Sequence, residues 1–185
     1  MENVLVWYCG DDAIDTDQSF AGSLRDFIAI DPRGKALELD GPEGSYQGTG
    51  HTISNGFVYL NGAAGAYDDD EDTDAIVSNI YFTRFSDFSC SFDNLCSFST
   101  DYHENGIFKA SNLQMDNHYL NENGEMIPIT VAKYFADMAG KVDENGDPVI
   151  IAIEPGTQTV GPLNSTGYEW TWAYQSGKLA EIGLD

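Results

Sequence analysis

Basic residues are scarce in this chain of 185 residues: 8 Lys and Arg stand against 31 Asp and Glu, a formal charge of −23. Such a surface repels phosphate backbones and anionic lipid, so nucleic acid and anionic membrane surfaces are excluded as partners. It suits divalent cations, cationic partners or a saline medium. Cysteine is sparse and odd in number. Cys9, Cys90 and Cys96 cannot form a fully paired intrachain framework, and no Cys-x-x-Cys motif is present. Cys90 and Cys96 are close enough in sequence to pair, and Cys9 reads as a small buried apolar residue. No apolar run approaches the length of a membrane-spanning helix. The N-terminus, MENVLVWYCG, lacks the basic segment and long apolar core of a signal peptide. A cytosolic chain and one whose leader has been removed both remain open. The three histidines, His51, His103 and His118, are scattered, and no Gly-x-Ser-x-Gly, phosphate loop or dinucleotide fingerprint occurs. A Cys–His pair of Cys90 or Cys96 with His103 has no support beyond proximity in sequence.

Strand signals and repeats are what the chain has. Hydrophobic residues make up 42% of it, enough for one sizeable core. Four runs rich in β-branched and aromatic residues recur: 4–9 (VLVWYC), 26–31 (DFIAID), 56–60 (GFVYL) and 79–85 (NIYFTRF). They start 22, 30 and 24 residues apart, the size of one coil of a parallel β-helix. A second, shorter set follows at a similar interval. Residues 13–17 (AIDTD) align with 36–40 (ALELD) and, more weakly, with 66–70 (AYDDD). Strand alternation turns Ile14, Leu37 and Tyr67 inward and the acids outward. Asp15, Glu38 and Asp68 would then form one acidic column, and Asp17, Asp40 and Asp70 a second. Carboxylates stacked at about 4.8 Å raise one another's pKa. Water, salt or a hard cation must compensate, and Ca²⁺ is the natural ion for oxygen ligands. The plain alternative is a solvated acidic face with no bound ion.

Loops between the runs carry turn residues, as in GPEGSYQGTG (41–50), NGAAG (61–65) and the acidic DDDEDTD (68–74). From 86 to 115 the pattern loosens into aromatics interleaved with serine. NENG (121–124) and DENGDP (143–148) read as turns. TVAKYFADMA (130–139) is the best helix, with Thr130 as N-cap and Gly140 as its stop. VIIAI (149–153) reads as a buried strand. YEWTWAY (168–174) reads as an alternating strand with Tyr168, Trp170, Trp172 and Tyr174 on one face, either core or an aromatic strip for sugar rings. The expected architecture is all-β: a right-handed parallel β-helix (β-solenoid) over residues 1–120. Residues 121–185 form an irregular C-terminal cap with one short helix, continuous with the coils.

DDAIDTDQ, KALELDGPEGSY, GHTISNGFVYL and AIVSNIYF, with the ending YEWTW and SGKL, resemble secreted or lipid-anchored right-handed parallel β-helix proteins of Gram-negative bacteria. The resemblance covers residues 3–85 and the last twenty or so. It implies the fold and an extracellular or outer-surface location, and no chemistry. Gly10-Asp11-Asp12 also resembles a segment of polygalacturonase-type glycosidases, in which paired carboxylates serve as acid and base. That makes Asp11 and Asp12 the candidates for an alternative enzyme, a polysaccharide lyase or glycosidase; Gly-Asp-Asp also reads as a plain coil turn in which Asp side chains cap backbone N–H groups. Gly50-His51 is similar to the Gly-His-Gly of those enzymes, but Thr52 replaces the last glycine and no Arg-x-Lys follows. The leading expectation is an extracellular, non-catalytic module for surface structure, adhesion or glycan binding. Its strand-like N-terminus suits end-to-end self-association or a place in a longer parent chain.

Overall fold

The computed structural model describes residues 1–17, 20–39, 49–60, 65–69, 73–83, 108–116, 118–121, 123–128, 142 and 145–185. The helix expected over 130–139, and Asp40, Asp70, Cys90, Cys96 and His103, lie outside the described residues. Long strands β1 (Glu2–Trp7), β3 (Gly22–Ile30), β5 (His51–Tyr59), β7 (Ala75–Thr83) and β8 (Phe108–Met115) pair side by side. With β11 (Ile150–Ala152) they make a six-stranded parallel sheet ordered β1-β3-β5-β7-β8-β11. Short strands β2 (Ile14–Asp15), β4 (Lys35–Leu39) and β6 (Gly65–Asp69) form a second parallel sheet in that order. After β1, β3 and β5 the chain visits the second sheet, then returns one strand further along the first. Strands β9 (His118–Leu120) and β10 (Met126–Pro128) form an antiparallel hairpin. Its turn is the predicted one: the Asn121 side chain accepts the N–H groups of Asn123 and Glu125 at 3.0 and 2.8 Å, and Gly124 has φ +77°. The molecule is therefore mostly strand, as the alternating runs require. No helix among the described residues is long and apolar enough to cross a membrane.

One column of residues breaks the regular alternation of the large sheet. Asn3, Asp26, Asn55, Asn79 and Asn112 all have positive φ, between 53° and 57°. The strand registers place them side by side. Asn and Asp are the residues that tolerate the left-handed conformation, because a short polar side chain can bond locally. Here they also bond one another. Asn112 Nδ2 donates to Asn79 Oδ1 at 2.9 Å, and Asn55 Nδ2 donates to Asp26 Oδ1. The bend breaks the two-residue alternation, so inward positions on either side of it are three apart: Leu24 and Phe27, Ile53 and Gly56, Val77 and Ile80, Ala110 and Leu113. All are buried, and together with Ile14, Ala36, Leu37 and Leu39 of the second sheet they form one core. Gly56 is glycine because the Phe27 ring occupies the place of its Cβ.

Past the bend the outward positions are also apolar: Leu5 and Trp7, Ile28 and Ile30, Phe57 and Tyr59, then Tyr81. A parallel sheet must be covered on both faces, and the C-terminal segment does the covering. Gly156 N–H donates to the Met115 carbonyl at 2.9 Å. Gln114, buried, donates to the Thr157 carbonyl and accepts from the Thr159 N–H and hydroxyl at 3.0, 2.7 and 3.1 Å. Gly161 then lies against the Gly56 carbonyl, Tyr168 packs among Ile28 and Ile30, and Gly167 meets the Asn3 side chain. The segment ends in two single helical turns, α1 (Trp172–Gln175) and α2 (Lys178–Glu181). It runs as a strap from β8 back to β1 across the sheet, where the sequence suggested a plug for the end of the stack.

Two readings are corrected here. YEWTWAY is not a strand: it turns at 168–171 and enters α1. Thr171 supplies the reason, since its Oγ1 donates to the Tyr168 carbonyl at 2.7 Å and accepts the Tyr174 N–H at 3.1 Å, an N-cap that outcompetes the alternating pattern. Tyr168 is accordingly 1% exposed while Trp170 and Trp172 are 68% and 67% exposed, so the four rings share no face. VIIAI is only half buried. Its strand is the sheet's edge, with a register shift between Ile151 and Ala152, so Val149 is buried and Ile151 is 50% exposed.

The bend column should be costly to alter. Asn79→Val should lower stability by about 2 kcal/mol, since a left-handed β-branched residue is penalised and a hydrogen bond is lost. Asn79→Gly should cost about half as much, because glycine accepts the backbone angle and loses only the bond. Urea midpoints of the two variants check this, and equal losses would refute it.

Candidate functional site: the first rung and the acidic column

The Gly10-Asp11-Asp12 segment forms the corner between β1 and β2, and its polar groups are engaged in holding the next rung. The Asp12 carboxylate accepts the backbone N–H of Lys35, and its Oδ1 occupies the space where Gly34 would carry a Cβ. Gly34 N–H donates to the Asp11 carbonyl at 3.2 Å. The Cys9 thiol reaches the carbonyls of Asp11 and Asp12 at 3.1 and 3.4 Å. Asp12 is thus a side-chain cap on backbone, and Gly34 is what lets the two corners approach. The Asp11 side chain stays exposed.

The strand registers expected for the first acidic column are present. Ile14 pairs with Leu37 and Leu37 with Tyr67, while Asp15 pairs with Glu38 and Glu38 with Asp68. Ile14 and Leu37 are buried in the core and Asp15 is exposed. Burial raises the Asp15 pKa, and the charges of Asp17, Asp12 and Asp11 add to the rise. Asp17 is exposed at the end of this rung. Among the described residues no three His, Cys, Asp or Glu side chains converge as a metal-ligand set.

Between Asp15 and Asp17, Thr16 turns inward and its Oγ1 lies 3.3 Å from His51 Nε2. Phe20 packs edge-on against the His51 ring at 5.5 Å. Burial lowers the His51 pKa. The Phe20 backbone and the Asp74 charge oppose that shift without cancelling it. Beside it, Gly50 at φ +76° brings the chain against the Asp74 carbonyl, which accepts the His51 N–H at 3.0 Å. A shallow groove of about 210 Å³ opens here between Gly22, Thr49, Thr52, Asp74 and Ile76. His51 is therefore held inside by Thr16, while Asp12 is held at the corner by Lys35.

Two exposed aromatic rings, Tyr8 and Trp172, lie at the end of β1. Tyr8 is 57% exposed, with the Arg33 guanidinium 5.6 Å above its ring. Trp172 packs edge-on against Trp7 at 6.0 Å. The Trp170 indole N–H donates to the Gly167 carbonyl at 3.0 Å, which fixes an otherwise exposed ring. Tyr168 is the counterpart on the inside. Its hydroxyl is buried without a partner among the described residues, and burial, then the Asp26 charge, drives its ionisation far up. Sequence alternation placed these rings on one strand. Gly167 and Gly177, both at positive φ on either side of α1, were the signal for the turn that separates them.

The His51 shift has a definite sign. A histidine with a depressed folded pKa contributes stability above its unfolded value of 6.5, and that contribution is lost as pH falls through the folded value. In a proton NMR titration the His51 ring should change protonation below pH 6.5, and Thr16→Val should alter its midpoint. A His51 midpoint at or above 6.5 would contradict the burial described.

No protein-family model, curated protein or solved structure matches this chain.

Proposed function

We propose that the chain is a right-handed parallel β-helix that serves as a non-catalytic structural module at the outer surface of a bacterium. The observation that carries this reading is the repeated rung. The strings ENVLVW, RDFIAI, SNGFVY, SNIYFT and SNLQM stand in register with the same order of bend, inward and outward positions. Such a stack grows by adding coils, so its natural use is as a rigid, extensible body. Right-handed crossovers are the strong rule for parallel strands of one sheet. The charge of −23 favours an exposed, saline setting, and the resemblance to surface β-helix proteins points the same way. Asp12, the better placed of the two glycosidase candidates, spends its carboxylate on the Lys35 N–H.

Incubation with a panel of neutral and acidic polysaccharides should release neither reducing ends nor unsaturated uronides. Turnover that survives purification and falls with Asp11→Asn would overturn the non-catalytic reading. Glycan contact is the second use, favoured by the exposed rings of Trp170 and Tyr174. Quenching of tryptophan emission by one polysaccharide of the panel, reduced in Trp170→Ala, is its expected mark.

Calcium is the cation this reading assigns to Asp15, Glu38 and Asp68, with Asp17, Asp40 and Asp70 alongside. Added Ca²⁺ should raise Tm by more than Na⁺ at equal ionic strength, and Asp15→Asn should shrink the difference. Equal shifts would reduce the effect to charge screening.

A further inference from the structure

We propose that His51 is an acid-operated latch: the neutral ring holds Thr16, just past β2, and Phe20, just before β3, and on gaining a proton it lets both go and turns into the groove beside Asp74. The latch depends only on the described strands, so it stands whether or not the coils close into a solenoid.

The closed state joins three elements. His51 opens β5, in register with Gly22 of β3 and Ala75 of β7. Its Nε2 lies 3.3 Å from Thr16 Oγ1, and its ring meets the Phe20 ring edge-on at 5.5 Å. A hydrogen bond to the Phe20 backbone favours the protonated ring, as an accepting carbonyl does. That bond keeps a proton on Nδ1 and leaves Nε2 to accept the Thr16 hydroxyl. One side chain thus ties the end of β2 and the approach to β3 onto the next rung. β2 has only two residues, Ile14 and Asp15. The bonds flanking it are Ala13 N–H to the Lys35 carbonyl and Thr16 N–H to the Glu38 carbonyl, at 2.9 and 3.0 Å. So short a strand has few ladder bonds of its own and opens easily unless it is tied down.

Solvation, more than hydrogen bonding, is what a proton upsets. The Thr16 hydroxyl can turn to accept from a charged ring. But His51 is 6% exposed and Thr16 8%, and burial is the largest influence on the ring, holding its pKa below 6.5. A buried imidazolium must find water or a counter-charge. Both lie in one direction. The groove of about 210 Å³ opens at His51 beside Gly22, Thr52 and Asp74, and the Asp74 charge already favours the protonated ring. The other acids at this corner are Asp15 and Asp17, which flank Thr16. Gly22 and Ala75, the register partners of His51, carry no charge.

Asp15 works in the opposite sense. Its pKa is raised by burial, then by the charges of Asp17, Asp12 and Asp11, so the cost of its charge is relieved as pH falls through its folded value toward 3.8. His51 instead loses its contribution as pH falls below 6.5 through its own folded value. Release of Thr16 on acidification must therefore come from His51.

The test follows the full chain by NMR from neutral pH down to 3.8, reading the His51 ring and the amide protection factors together. Protection at Thr16 should fall about tenfold, the equivalent of one pKa unit, with the same midpoint as the His51 ring. Amides in the middle of β5 and β7 should keep theirs. Asp74→Asn should move both midpoints down together, and Asp15→Asn should leave both in place. Thr16→Val combined with His51→Phe replaces the polar pair by apolar groups of similar shape, and should keep the amide at position 16 protected throughout. Protection at Thr16 that ignores the His51 titration would overturn the latch. So would release that persists in the double variant, or loss of protection in β5 and β7 at the same midpoint, which is global acid unfolding. Should the double variant not fold, Asp74→Asn decides: a His51 midpoint that moves while the Thr16 midpoint stays put overturns the latch, and joint movement upholds it.

Discussion

The bend at Asn3, Asp26, Asn55, Asn79 and Asn112 is the constraint on which the rest of the structure depends. A parallel strand that ran straight would present one face to the core and one to water. The left-handed residue resets the alternation once per rung, so inward side chains lie on both sides of the bend. The cost of that conformation, about 1–2 kcal/mol for an ordinary side chain, is reduced by the choice of Asn and Asp. It is offset further where neighbours bond along the column, as Asn112 does to Asn79. Rungs of unequal length can then share one register, because Arg25, Ser54, Ser78 and Ser111 still align although 29, 24 and 33 residues separate them. Loops absorb the difference.

The outward half of each rung poses a second problem, since Ile28, Phe57 and Tyr81 are too apolar to face water. The strap solves it with little regular structure. It is fixed at the β8 end by hydrogen bonds from Gln114, at its middle by the contact of Gly161 with Gly56, and at the β1 end by Tyr168, Leu179 and Leu184 in the outer cluster. Burying each such side chain contributes about 1.5–3 kcal/mol before entropy is counted. Two described acids, by contrast, keep to the margins: Asp12 at a corner, where it binds backbone, and Asp15 on the exposed side of β2.

Much of this was legible in the sequence. The alignment of Ile14 with Leu37 and of Asp15 with Glu38 followed from period-two patterning in two similar pentapeptides, and the structure pairs those residues. The spacing of the long strands was readable for the same reason. The bend was written there too, in the recurring Ser-Asn before apolar residues at 54–55, 78–79 and 111–112. Strand arguments built on strict alternation pass over it, because a conformational column has no hydrophobic signature. The strap was not legible. Tyr168, Trp170, Trp172 and Tyr174 alternate as a strand would, and the local bonds of Thr171, with Gly167 and Gly177 at positive φ on either side, decide otherwise. Its position over the sheet depends on shape matches, such as Gly161 against Gly56, that no linear pattern encodes. Of the candidate site residues, the sequence could group the acids, turn Asp15 outward and read Gly10-Asp11-Asp12 as a corner whose side chains cap backbone N–H groups, as Asp12 does for Lys35; it could not tell which of Asp11 and Asp12 would do so.

The route of the strap has a mechanical meaning. Its final residues sit at the β1 end, where Leu184 is buried and the Asp185 carbonyl accepts from Ser165 at 3.4 Å. Tension applied at the C-terminus would therefore peel a surface ribbon away from the first strand, one side chain at a time, and leave the inter-strand ladders unloaded until the ribbon had lifted. The fold would yield gradually at its covering before its spine felt any load.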